Sequence, residues 1–146
     1  MCRAHAAVRH LVGGMLQEEE VFAIVDMEAG LEHLSRGTGR HVDVLVVMME
    51  PYYRALETAR RTVELGRELG VPRVAVVSNK VRDELDRRTV ADFAANHGLE
   101  VLCEIPFDDE LRRGDHRRLA PLDTNASAIG SMEKLVDLLL SEDSRP

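Results

Sequence analysis

Apolar residues fall along this chain in two alternating kinds of run: short unbroken blocks and longer stretches spaced at three and four. Ala4, Ala7, Val8, Leu11, Val12 and Met15 recur at helical spacing and predict a helix over Arg3–Gln17. The block Val21–Asp26 predicts a strand, followed by a Gly-containing segment that runs to Gly39. Val42–Met49 is nearly all apolar, as a strand covered on both faces is. Pro51 is placed to open the next helix, which turns Leu56, Ala59, Val63 and Leu69 inward and closes at Gly70 before Pro72. Arg73–Ser78 gives a third strand. Asp83–His97 gives a helix with Leu85, Val90, Phe93 and Ala94 on its inner side, stopped at Gly98, and Val101–Ile105 gives a fourth strand. A polar stretch over Asp108–Asp123 precedes a last helix whose core side reads Ile129, Met132, Val136, Leu139 and Leu140, and the tail Ser141–Pro146 is expected to fray. Strands alternating with helices mean an α/β fold, a partial doubly wound parallel sheet of about four strands with helices on both faces.

The length of 146 residues suits a single domain, and the 45% apolar content is that of a globular chain. A net charge of −7 argues against nucleic acid as a partner. No apolar run approaches the roughly 20 residues of a membrane span, so no membrane role is expected. Cys2 and Cys103 form no disulfide framework, which makes a reducing cytoplasm the expected compartment. Cys103, inside Val101-Leu102-Cys103, reads as a buried small hydrophobe.

The candidate chemistry concentrates in Asp26-Met27-Glu28-Ala29-Gly30-Leu31-Glu32-His33-Leu34-Ser35-Arg36-Gly37-Thr38. A strand that ends in Asp26 aims a carboxylate out of the carboxyl edge of the sheet, where ligands of open α/β folds sit. An Asp there holds magnesium directly or through water, or else caps the turn. Gly30 lets the backbone pass close to whatever that carboxylate serves, and Glu28 and Glu32 are either solvated loop charges or part of the site. No Gly-rich lysine loop stands ahead of this segment to cradle phosphates.

The same run, with Arg36-Gly37, resembles the second nucleotide motif of the CooC-type ATPases, the nickel-insertion accessory proteins of carbon monoxide dehydrogenase within the MinD/ParA-like P-loop class. Glu50-Pro51 and Leu56-Glu57-Thr58-Ala59 are similar to the family's next strand end and helix. Val77-Ser78-Asn79-Lys80 is similar to its adenine-reading Asn-Lys, and Ile105-Pro106-Phe107-Asp108 to its base-flanking segment. Tyr52-Tyr53 departs from the family, where a small hydroxyl residue often follows the proline.

The resemblance implies ATP or ADP and Mg2+ as ligands, with Asp26 and Glu28 as catalytic residues of a complete domain. Asp26, Gly30, Asn79, Lys80 and Pro106 would be nucleotide-binding. It also implies Ni2+ or Zn2+ at thiolates shared across a dimer. Met1-Cys2-Arg3-Ala4-His5 looks like the tail of the family's Cys-x-Cys, so Cys2 is the candidate metal ligand, with His5 one turn on, against the alternative of an unligated thiol. The chain then resembles the C-terminal portion of such a protein, without the central phosphate-loop strand. Its partners would be the missing N-terminal half or a second copy, and nickel-containing carbon monoxide dehydrogenase. Alone, it is expected neither to bind nor to hydrolyse ATP. Two other readings stay open: another MinD/ParA-like switch, and a non-catalytic interaction module.

Overall fold

The block Val44–Met49 forms strand β1, and the reason it stops is Pro51: the Tyr52 amide donates to the Glu50 carbonyl at 2.8 Å, a three-residue turn centred on the proline. Helix α1 then begins at Tyr53 and runs to Glu68. Pro51 therefore bends the chain out of the strand, two residues ahead of the helix that it was expected to open. The computed structural model describes residues 23–27 and 42–141. Within them follow β2 (Arg73–Val81), α2 (Glu84–Asn96), β3 (Val101–Pro106), α3 (Asp109–His116), a 3-10 turn at Pro121–Asp123 and α4 (Ala128–Leu140).

The three strands are parallel in the order β1-β2-β3. The α/β class with helices on both faces holds, with three strands among the described residues where about four were expected. The difference lies at residues 23–27, which adopt no regular structure; Ile24 is 97% exposed. A strand needs a ladder partner for its N–H and C=O groups, and in this structure residues 23–27 pair with none of the three strands. The helix expected over Arg3–Gln17 lies outside the described residues.

Two cores flank the sheet. On one face α1 and α2 bring Leu56, Ala59, Val63, Val90 and Ala94 against Leu45, Val47, Met49 and Val76. On the other, α4 lays Ala128, Met132, Leu135 and Leu138 over Val46, Val77, Cys103 and Ile105. Two inner faces differ from the expected ones. Leu85, in the first turn of α2, is exposed, and α4 turns Leu135 and Leu138 inward while Val136 and Leu140 face out. Helix α4 is apolar over most of its circumference, so spacing alone does not choose its phase.

Helices α1 and α2 end alike. Gly70 and Gly98 sit at φ +73° and +61°, and the next residue, Val71 or Leu99, donates back to the carbonyl of Gly66 or Ala94 and buries its side chain. The chain is thereby returned to the sheet within a few residues, so β2 and β3 start in a fixed place and all three strands point their carboxyl ends the same way. Val71 and Leu99 serve as the apolar contact that completes each stop.

Candidate functional site at the carboxyl edge of the sheet

Three strand exits meet at this edge: Glu50–Tyr52 after β1, Asn79–Arg82 at the end of β2, and Pro106–Asp108 after β3. At β2 the pairing register shifts between Asn79 and Val81, and Lys80 adopts φ +59°, a left-handed conformation costly for a side chain with a Cβ. This bulge lets Val81 turn inward while Lys80 leaves the sheet. Its ammonium meets the Glu50 carboxylate at 2.6 Å, a tie between the ends of β1 and β2. Strained backbone of this kind is concentrated at functional sites.

The two residues before Lys80 carry polar groups without partners among the described residues. Ser78 is 2% exposed and its hydroxyl makes no hydrogen bond to a described residue. The half-buried Asn79 carboxamide makes no hydrogen bond to another described residue. An amide left free at a strand exit has two donors and an acceptor to offer a ligand. Ser78 was legible only as part of the Asn-Lys motif; its burial without a partner is what singles it out.

Arg82 joins the three exits. Its guanidinium carbon lies 4.4 Å from the centre of the Phe107 ring, and its Nη1 donates to the Tyr52 hydroxyl at 3.3 Å. Its amide donates to the Asp86 carboxylate at 3.0 Å, while the Phe107 amide donates to the Val81 carbonyl at 2.9 Å. Neither Arg82 nor Tyr52 was a candidate from the sequence, beyond the remark that Tyr52-Tyr53 is unusual.

Asp108 fixes the floor of this edge. One carboxylate oxygen accepts from the Glu110 amide at 2.8 Å; the other accepts from the Ser127 hydroxyl at 2.8 Å and the Ala128 amide at 3.2 Å. A single side chain thus caps both α3 and α4. The Ser127 hydroxyl, then the backbone amides, hold its pKa below the usual carboxylate range.

Of the expected site residues, the structure brings together Asn79, Lys80 and Pro106, the last two strand residues in register across β2 and β3 being Val81 and Pro106. Asp26 is exposed and lies in the irregular segment, with Met27 packed against the α1–α2 core. Glu28, Gly30, Glu32, His33, Cys2 and His5 lie outside the described residues. Among the described residues no cluster of three His, Cys, Asp or Glu side chains is placed to hold a metal ion. Cys103 is buried, and burial pushes its thiol up.

The sequence is similar to known proteins over nearly its whole length. Over 140 residues, 96% of this chain, the sequence is 34% identical to the carbon monoxide dehydrogenase accessory protein CooC of Rhodospirillum rubrum, covering 52% of that protein. The chain resembles CooC over nearly all of its own length. Two uncharacterised ATP-binding proteins of Methanocaldococcus jannaschii are also similar to it. One is 32% identical over 141 residues, 96% of this chain and 54% of that protein; the other is 30% identical over 145 residues, 97% and 56%. The chain spans about half the length of the curated relatives it matches. No family model matches it. No described helix of this CooC-like chain is long and apolar enough to cross a membrane.

Proposed function

We propose that the chain supplies the base-recognising end of an ATP site in a cytoplasmic maturation protein of the CooC kind, one that assists nickel insertion into carbon monoxide dehydrogenase. The observation that carries this reading is the free Asn79 carboxamide at the strained end of β2. A carboxamide pairs in two places with adenine, donating to a ring nitrogen and accepting from the exocyclic amine; guanine offers two acceptors there instead. The Lys80 stem and Pro106 flank the base in this reading. Relatives named for ATP binding and for carbon monoxide dehydrogenase support it.

The remaining roles follow the family resemblance. Asp26 would hold Mg2+ through water, Glu28 would assist hydrolysis in a complete domain, and Gly30 would allow the backbone to approach. Cys2 would contribute a thiolate to a Ni2+ or Zn2+ site shared between two copies. The 146 residues contain no Gly-rich lysine loop, and polyphosphate binding rests on such a cradle of amides and a lysine. By itself the chain therefore gains little from the phosphates.

Saturation-transfer NMR on the full chain tests this. Adenosine is expected to bind and guanosine not, and Asn79→Ala is expected to abolish adenosine binding. ATP is expected to show no binding beyond the weak contact of its adenosine part, and no hydrolysis, because the phosphates meet no cradle of amides and lysine. Equal binding of both nucleosides would overturn the assignment of Asn79, and micromolar ATP affinity would overturn the account of the phosphates.

A further inference from the structure

We propose that the Arg82 guanidinium, lying over Phe107 and tied to Tyr52, is a stacking platform for the purine base. This deepens the reading of the site as the base end of a nucleotide pocket and rests on it. The geometry points there in three ways. Phe107 lies 4.4 Å from the guanidinium carbon on one side, and Arg82 as a residue is exposed. Tyr52 holds Nη1 at 3.3 Å and so fixes the direction of the plane. The side chain pairs with no carboxylate among the described residues, in contrast to Lys80, which Glu50 neutralises. A flat cation backed by an aromatic ring, three residues beyond the free Asn79 carboxamide, fits an electron-rich heterocycle; bases stack on arginine planes as they do on aromatic rings. The unusual Tyr52 thereby acquires a role: it positions Arg82, which touches the ligand.

A bare phosphate would use the charge of Arg82 but not its plane, and substitution separates the two. With the full chain and adenosine as probe, Arg82→Ala and Arg82→Lys should both weaken binding at least about fivefold. Phe107→Leu, which keeps the bulk without the ring, should weaken it similarly, and Tyr52→Phe by a smaller factor. Tripolyphosphate should leave the Arg82 side-chain resonance unmoved, and adenosine should shift it. The proposal fails if Arg82→Lys binds adenosine like the parent chain, or if tripolyphosphate rather than adenosine shifts that resonance. It also fails, alone, if Asn79→Ala abolishes adenosine binding while Arg82→Ala leaves it intact. A parent chain that binds no adenosine at all would instead sink the reading of the site on which it rests.

Discussion

Among the described residues, two side chains sit in a backbone conformation that suits glycine, Lys80 and Arg118, and they contrast. Arg118 follows α3 at φ +59°, where its amide donates to Asp115 and the Leu119 amide to Gly114, the same stop that Gly70 and Gly98 make after α1 and α2. It is exposed, with no ion pair among the described residues. Arg118→Gly should therefore raise stability by about 1 kcal/mol, read as a higher denaturation midpoint at unchanged slope. Lys80 pays the same conformational penalty inside the candidate site and gains an ion pair to Glu50. The sequence showed Asn79, Lys80 and Pro106 through a motif. It could not show that Lys80 is left-handed or that Arg82 bridges three connections, because both depend on a bulge and on the distant residues Tyr52 and Phe107.

At the level of elements, the unbroken apolar blocks and the Gly-Pro and Gly stops made β1, α1, β2, α2 and β3 readable to within a few residues. Helix α3 was missed because Asp-Glu-Leu-Arg-Arg-Gly-Asp-His has no apolar stripe. It is held by the Asp108 cap, by Arg112–Asp109 and Arg113–Glu110 pairs at 3.0 and 2.7 Å, and by close approach of Gly114 to Thr124. Acidic residues first and arginines last were the available signal. The joint cap gives a pH test. A carboxylate whose pKa is lowered by folding stabilises the fold fully above its unfolded pKa, about 3.9 for Asp. That contribution is lost as pH falls through the lower folded value. Melting temperature should thus decline on acidification below about pH 4, and Asp108→Asn should melt lower at neutral pH with a shallower decline. Glu84, whose pKa is likewise lowered, by Arg87 and then Arg88, remains in both proteins. An unchanged slope in Asp108→Asn would show that the cap does not depend on charge.

For the molecule as a whole, β1 is the informative strand. It is apolar on both faces, the composition of an interior strand, yet among the described residues it pairs only with β2. Met48 is 45% exposed on the face that α4 covers elsewhere, and Val136 and Leu140 of α4 are exposed as well. Unpaired apolar edges of this kind promote association. The isolated chain should self-associate with rising concentration in sedimentation velocity, and Met48→Lys should reduce that association without lowering the melting temperature. Association that Met48→Lys leaves untouched would locate the contact elsewhere.

The chain has no tryptophan, and its two tyrosines are neighbours, Tyr52 and Tyr53. All appreciable ultraviolet emission therefore originates from one spot, beside the arginine at the strand exits. Tyr52 accepts from Arg82 through its hydroxyl, while Tyr53, 75% exposed, looks into water. The polypeptide thus carries its own optical probe, with a built-in reference beside it, at the place where a nucleoside would have to arrive.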